Sequence, residues 1–160
     1  MKVISVMGDD ISTDVIYPGR YMATVLPTET PAFAFADNPE LNPLLVNKQV
    51  PHNSVIIGGE NFGCGSSREQ AVSCLKGHEL IIAAKSFARI FLQNAVNLGL
   101  ITLTIPDVEG KVGDELEWTG DKLINKTSKK TYSIVPLSGT RQAVMEAGGL
   151  IPYTRQRLLS

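Results

Sequence analysis

The stretch Gly58-Gly59-Glu60-Asn61-Phe62-Gly63-Cys64-Gly65-Ser66-Ser67-Arg68-Glu69-Gln70 decides how the chain is read. Four glycines fall in its first eight positions, a density that suits unusual backbone angles or a close approach to a ligand. The apolar run Val55-Ile56-Ile57 before it predicts a buried strand, and Arg68-Glu69-Gln70-Ala71-Val72 opens a predicted helix. A strand enters, a glycine-rich loop turns and a helix leaves. Such a helix start offers unpaired backbone N–H groups and a positive dipole end to an anion. Arg68 adds a planar fork suited to a carboxylate. Ser66-Ser67-Arg68-Glu69 also fits a capping box, with Ser66 at the N-cap and Glu69 three residues on. A cap alone requires neither Gly58-Gly59 nor Gly63-Cys64-Gly65, so the glycines favour a functional loop.

Composition narrows the classes. The 160 residues are 43% hydrophobic with a formal net charge of −1, enough for one domain with its own core, expected over residues 1–160. Balanced charge argues against nucleic acid, whose partners carry a basic face. No apolar run reaches the roughly 18 residues of a membrane span. The N-terminus turns acidic at Asp9-Asp10 and lacks a long apolar core, so no signal peptide is expected. Cys64 and Cys74 are too few for a disulfide framework and lack metal-ligand company. A reducing cytoplasm is the expected compartment, with no metal held by this chain.

Upstream of the central stretch, Val3-Ile4-Ser5-Val6-Met7 predicts a first strand closed by Gly8. Asp9-Asp10-Ile11-Ser12-Thr13-Asp14 crowds three carboxylates and two hydroxyls together. It reads either as a self-bonded polar loop or as a segment in which one Asp holds a cationic or hydroxyl partner. Pro18 to Thr24 predicts a turn and irregular chain. Between Val25 and Val50, Pro27, Pro31, Pro39 and Pro43 break any long helix. A short helix through Phe33-Ala34-Phe35-Ala36 is predicted there, and the rest reads as a lid or binding loop, mobile when the chain is alone.

Downstream, the central helix is expected from Ser67 to about Lys76, with Ala71, Val72, Cys74 and Leu75 inward and Gly77 as its stop. Leu80 to Ala84 is a buried strand. Ser86 caps a helix with Phe87, Ile90, Phe91, Ala95 and Val96 at helical spacing, closed by Gly99. Leu100 to Ile105 is a further strand. This alternation from Val55 to Ile105 signals α/β crossovers. Glu115 to Trp118, Lys122 to Asn125 and Thr131 to Val135 then predict short antiparallel strands. Gly139 to Ala147 is a predicted helix capped by Ser138. Trp118 and Tyr132 read as packing residues.

Three blocks in order, Gly8-Asp9-Asp10-Ile11-Ser12-Thr13-Asp14, Gly59 to Glu69 and Ala84-Lys85-Ser86-Phe87-Ala88-Arg89-Ile90-Phe91, carry a resemblance that covers most of the chain. The chain resembles the aconitase swivel-domain family, in its stand-alone form: the small subunits of 3-isopropylmalate dehydratases and homoaconitases. The resemblance implies an α/β fold of the swivel type, a compact mixed β core flanked by helices in β/β/α layers. It also implies a half-enzyme of leucine biosynthesis. A separate large subunit carries a [4Fe-4S] cluster whose free iron binds the hydroxyl and carboxylate of a small hydroxy acid. Dehydration and rehydration then move the hydroxyl to the neighbouring carbon. This chain binds no cofactor in that picture, since two cysteines cannot supply a cluster's usual ligands. The oligomeric state of the isolated chain, a homo-oligomer included, stays open.

By the same resemblance, Ser66 is the base that takes a proton from substrate carbon, with its alkoxide stabilised by the helix N-terminus and Arg68. Ser67 then takes over any capping. Arg68 clamps a substrate carboxylate with help from Ser67, and Asp14 belongs to the charge network. Gly63 and Gly65 let the loop approach substrate. Lys85 and Arg89 read as charged ends of a packed helix. Tyr21-Met22-Ala23-Thr24 corresponds to the substrate-selecting loop, in which homoaconitases place an arginine at the position of Ala23. An uncharged Ala23 leaves a distal carboxylate unpaired, so an apolar side group is expected. Isopropylmalate, 2,3-dimethylmalate and citramalate-type substrates all satisfy this. Homocitrate would require Arg20 to replace the missing loop arginine.

Overall fold

The computed structural model describes residues 1–160. Its frame is a parallel sheet of β1 (Val3–Val6), β2 (Val55–Gly58), β3 (Ile81–Ala84) and β4 (Ile101–Thr104), hydrogen-bonded in that order. Three crossovers step the same way across the sheet. Crossovers of one hand stepping in one direction place their helices on one face. Those helices are α1 (Thr13–Ile16) and α2 (Leu41–Val46) before β2, α3 (Glu69–Gly77) before β3, and α4 (Arg89–Leu98) before β4. The opposite face is covered by an antiparallel sheet of β5 (Leu116–Trp118), β6 (Lys122–Asn125) and β7 (Lys130–Ser133). The layers are therefore β/β/α, as the swivel-type resemblance implies.

Side-chain alternation along the strands builds a core on each face. Ile56, Ile82 and Ala84 point to the helices, where they meet Ala71, Val72, Cys74, Leu75, Phe91 and Ala95. Val55, Ile57, Ile81, Ala83 and Leu103 point to Leu116, Leu123 and Tyr132 of the small sheet. Burial on both faces is why β2 and β3 read as unbroken apolar runs. The second layer is also tied by a polar clamp. Asp114, nearly buried, accepts from Asn125 Nδ2 (2.8 Å) and from the Lys111 N–H (2.9 Å), and these bonds hold its carboxyl below the usual carboxylate range.

Several expectations need correction. The segment 25–50 is no free lid: Thr30, Ala34, Phe35, Leu41 and Leu45 are all buried. Its helical turns fall at Thr30–Phe33, in 3-10 form, and at α2, not at Phe33 to Ala36. Pro43 sits inside the first turn of α2, where a missing N–H costs no intrahelical bond. Ser86 does not cap α4. The helix starts at Arg89 with Ala88 at the N-cap, and Ile90 is 55% exposed. Lys85 lies in the β3–α4 connection, outside the helix, whereas Arg89 is its exposed first residue. Gly99 does close α4, at φ 77°. Helix α5 (Gly139–Glu146) has Ser138 at its N-cap position without a side-chain cap bond. Helix α6 (Leu150–Leu159), which buries no residue, has no counterpart in the sequence reading. Tyr132 packs in the core, but Trp118 is 38% exposed.

Gly77 is not a left-handed helix stop. It is the last residue of α3, and the C-cap is His78. A side chain at Gly77 would collide with the Pro31 ring. Helix propensity alone favours Gly→Ala by about 1 kcal/mol, whereas overpacking against a rigid ring costs about 1–3 kcal/mol. Gly77→Ala is therefore expected to lower the urea midpoint; a raised midpoint would show that the α3–Pro31 contact yields freely.

Candidate active site

Past the ends of β1 and β2 the two chains remain laced together by their main chains. Gly59 N–H donates to Gly8 O (3.1 Å), Asp10 N–H to Glu60 O (2.8 Å), Gly63 N–H to Ile11 O (2.7 Å) and Thr13 N–H to Cys64 O (2.8 Å). Side chains reinforce the lacing. Asp9 accepts from the Glu60 N–H (2.8 Å), and Asp10 accepts from Asn61 Nδ2 (3.0 Å). The β3–α4 connection joins from the other side, with Ser86 Oγ accepting from the Asn61 N–H (2.8 Å). The acidic run divides its work: Ser12 Oγ accepts locally from the Val15 N–H (3.3 Å), while each carboxylate reaches across to the glycine-rich stretch or its Arg68.

The lacing sets Ser12 to Asp14 beside Gly65 to Arg68. Ser12 is the N-cap of α1, and Asp14 sits in its first turn. The Arg68 side chain is 14% exposed, and its Nη1 donates to the Asp14 carboxylate and to Tyr17 O (3.3 Å). Arg68 Nε is buried without a partner. Asp14 keeps 63% of its side chain exposed. The guanidinium is therefore anchored at one corner by an anion open to solvent. Ser66 is exposed, and its Oγ lies 3.3 Å from Thr13 Oγ1.

The capping-box description fails here. Helix α3 begins at Glu69, Arg68 is its N-cap residue, and no side chain caps it. The main chain turns at Ser66, where the Arg68 N–H donates to Ser66 O (2.9 Å), and this puts both serines outside the helix. Neither Ser66 nor Ser67 serves as a cap, so the conflict between capping and base chemistry disappears. The two glycines differ in purpose. Both take a left-handed step, Gly63 at φ 84° and Gly65 at φ 97°, but only Gly65 is exposed. Gly63 is buried against Phe91, whose ring occupies the space of any side chain there. Its absent side chain admits Phe91, not substrate.

The loop Tyr21 to Thr24 is fastened by its carbonyls. The fully buried Tyr17 directs its hydroxyl at Tyr21 O (3.0 Å) and Thr24 O (3.2 Å), and burial raises its phenol above the usual range. Gln70 Nε2 donates to Met22 O (3.1 Å). Tyr21 stacks on Phe33 at 4.1 Å between ring centres. Met22 and Ala23 are left exposed. Arg20 turns to Asp37 in an ion pair and covers the Tyr21 ring. The sequence reading missed Thr13, Tyr17 and Gln70. Thr13 was visible as one hydroxyl in a polar run, but its burial was not.

These features coincide with a known family. Residues 15–108 match the aconitase C-terminal domain. The chain belongs to this family. A 3-isopropylmalate dehydratase small subunit of Methanosarcina mazei is 42% identical over 156 residues, 93% of this chain and 92% of that one. A methanogen homoaconitase small subunit of Methanocaldococcus jannaschii is also 42% identical, over 95% of this chain and 89% of its own length. The crystal structure of a 3-isopropylmalate dehydratase from M. jannaschii superposes with a TM-score of 0.86 at 39% identity, covering 99% of this chain and 95% of that chain. No helix is long and apolar enough to cross a membrane.

The iron–sulfur cluster that the resemblance implies finds no ligand set among this chain's residues. Cys74 is wholly buried and donates to Ala71 O, and burial pushes its thiol far above the usual range. Cys64 is the one other thiol, against the four thiolates a cluster ordinarily takes.

The Tyr17 bonds make a separate test. Tyr17→Phe keeps the ring in the core and removes the donor shared by Tyr21 O and Thr24 O. A loss of about 1 kcal/mol is expected, with faster amide exchange confined to residues 21–24. Unchanged exchange there would show that the Tyr17 hydroxyl does not hold the loop.

Proposed function

We propose that this chain is the small subunit of a two-subunit hydro-lyase that isomerises 2-isopropylmalate to 3-isopropylmalate by dehydration and rehydration. The observation that carries this reading is the uncapped Ser66 hydroxyl, exposed beside the Asp14-anchored Arg68, in a chain of the aconitase C-terminal domain family. The small-subunit names of the relatives support a large-subunit partner. A [4Fe-4S] cluster on that partner would supply a Lewis-acidic iron for loss of the substrate hydroxyl.

This chain contributes the proton chemistry and the clamp. Arg68 receives a substrate carboxylate while its Nη1 stays on Asp14 and Tyr17 O, so the guanidinium is pre-oriented before substrate arrives. Ser67 and Gly65 line the same turn and approach the substrate. Ser66, as the alkoxide, takes the proton from the carbon adjacent to the hydroxyl-bearing one. The C–H electron pair becomes the second bond of the alkene as the C–O bond breaks and hydroxide departs. In rehydration Ser66 returns its proton to the alkene carbon that had carried the hydroxyl, and hydroxide adds to the neighbouring one. The unprotected first-turn amides of α3 and the Arg68 charge both favour the anionic serine.

The apolar side group is read from Tyr21, Met22, Ala23 and Thr24. None of these is charged, and Arg20 is committed to Asp37. A second distal carboxylate would face no cation from this loop, a costly arrangement in a closed site. A homocitrate-type substrate is the competing reading, favoured by the M. jannaschii relative named as a homoaconitase subunit.

The test is reconstitution. The chain is mixed anaerobically with its large subunit and offered isopropylmalate, 2,3-dimethylmalate, citramalate and homocitrate. Turnover is expected for the apolar substrates and not for homocitrate; preferred turnover of homocitrate would overturn the substrate reading. Ser66→Ala is expected to lower turnover on the order of a thousandfold with subunit assembly intact. Retained turnover would overturn the base assignment.

A further inference from the structure

We propose that Thr13 is a positioning residue that sets the ionisation of Ser66, an inference that rests on the base role given to Ser66 above. Thr13 is 2% exposed at the first position of α1, and its N–H is fixed on Cys64 O. Its Oγ1 lies 3.0 Å from Ser66 O and 3.3 Å from Ser66 Oγ. One hydroxyl proton thus faces two acceptors on the same residue.

The two states of Ser66 decide where that proton goes. While Ser66 is a neutral hydroxyl, Thr13 donates to Ser66 O, and its lone pair accepts the Ser66 proton. The Ser66 lone pairs then face outward. Once Ser66 has lost its proton, the better acceptor is the alkoxide, because a charged acceptor roughly doubles the strength of a hydrogen bond. Rotation of the Thr13 hydroxyl about Cβ–Oγ1 turns its proton to Ser66 Oγ without movement of any heavy atom. The Ser66 carbonyl that gives up this bond keeps the Arg68 N–H (2.9 Å).

The charged groups around Ser66 leave room for such a neutral donor to decide. Asp14, next to Thr13 on α1, opposes ionisation. Arg68, on the same loop as Ser66, favours it. These two are paired with each other, so their effects on Ser66 partly cancel. Glu69, exposed at the start of α3 three residues on, also opposes it. All three charges are unchanged by substitution at Thr13.

The first readout does not depend on turnover. Ser66→Cys is made with Cys64→Ser, so that the introduced thiol is the accessible one; Cys74 is buried and silent. Iodoacetamide alkylation of the chain is then followed against pH. Thr13→Val, close to isosteric, is expected to raise the midpoint by about one pH unit, a tenfold change in the ionisation constant. Thr13→Ala is expected to do the same, and Thr13→Ser to restore the original value. In the reconstituted two-subunit enzyme, Thr13→Val is expected to lower kcat about tenfold with KM within about twofold. The rise of activity with pH should move upward, and Thr13→Ser should restore it. An unmoved midpoint in folded Thr13→Val or Thr13→Ala, checked by circular dichroism, overturns the inference. A moved midpoint with full turnover in Ser66→Ala supports the contact and overturns the base role, so the two failures are separable.

Discussion

Main-chain pairing that outlasts the strands is what the site depends on. β1 and β2 stop at Val6 and Gly58, yet their chains stay hydrogen-bonded as far as Thr13 and Cys64. The bonds from Gly63 to Ile11 O and from Thr13 to Cys64 O bring Asp14 against Arg68 and Thr13 against Ser66. These four residues come from segments more than fifty positions apart. Loops at the carboxyl ends of parallel strands are where α/β folds gather function, and here the gathering is done by peptide groups. Side chains enter second, as Asp9, Asp10, Asn61 and Ser86 tie the three loops together.

Much of the fold was legible because its strands are short and buried on both faces. Val55-Ile56-Ile57 and the run ending Ala83-Ala84, alternating with helices, signal α/β crossovers. The inward face of α3 was readable residue by residue, since helical spacing was undisturbed by function. What was illegible came from tertiary override. Ser86 looks like an N-cap, yet its hydroxyl serves Asn61 across the loops. Gly77 looks like a stop, yet it makes room for Pro31. The four prolines of the 25–50 segment suggested an open lid. A proline in a first helical turn costs little, so α2 forms and buries Leu41 and Leu45.

The site was legible in its residue types and not in its contacts. Ser66, Arg68 and Asp14 stood out by motif, and the structure brings them together. The capping box was the misleading local pattern. Spacing fitted it, but the turn at Ser66 O delays the helix by two residues. Thr13 was missed because burial of a hydroxyl in a polar run has no sequence signature. Arg20 was ambiguous for the opposite reason: a charge near the loop says nothing of which anion claims it, and Asp37 lies seventeen positions on.

The manner in which the Tyr21 to Thr24 loop is fastened bears on how such a protein changes over generations. Tyr17 and Gln70 grip carbonyl oxygens, which every residue possesses. The side chains at Met22 and Ala23 take no part in anchoring. Drift at these two positions therefore leaves the loop's path and the neighbouring serine and arginine undisturbed. Changes at these two positions alter what the loop presents to solvent, not how it is held. Tolerance of change is thus concentrated at Met22 and Ala23, while the laced backbone behind them carries the structural load.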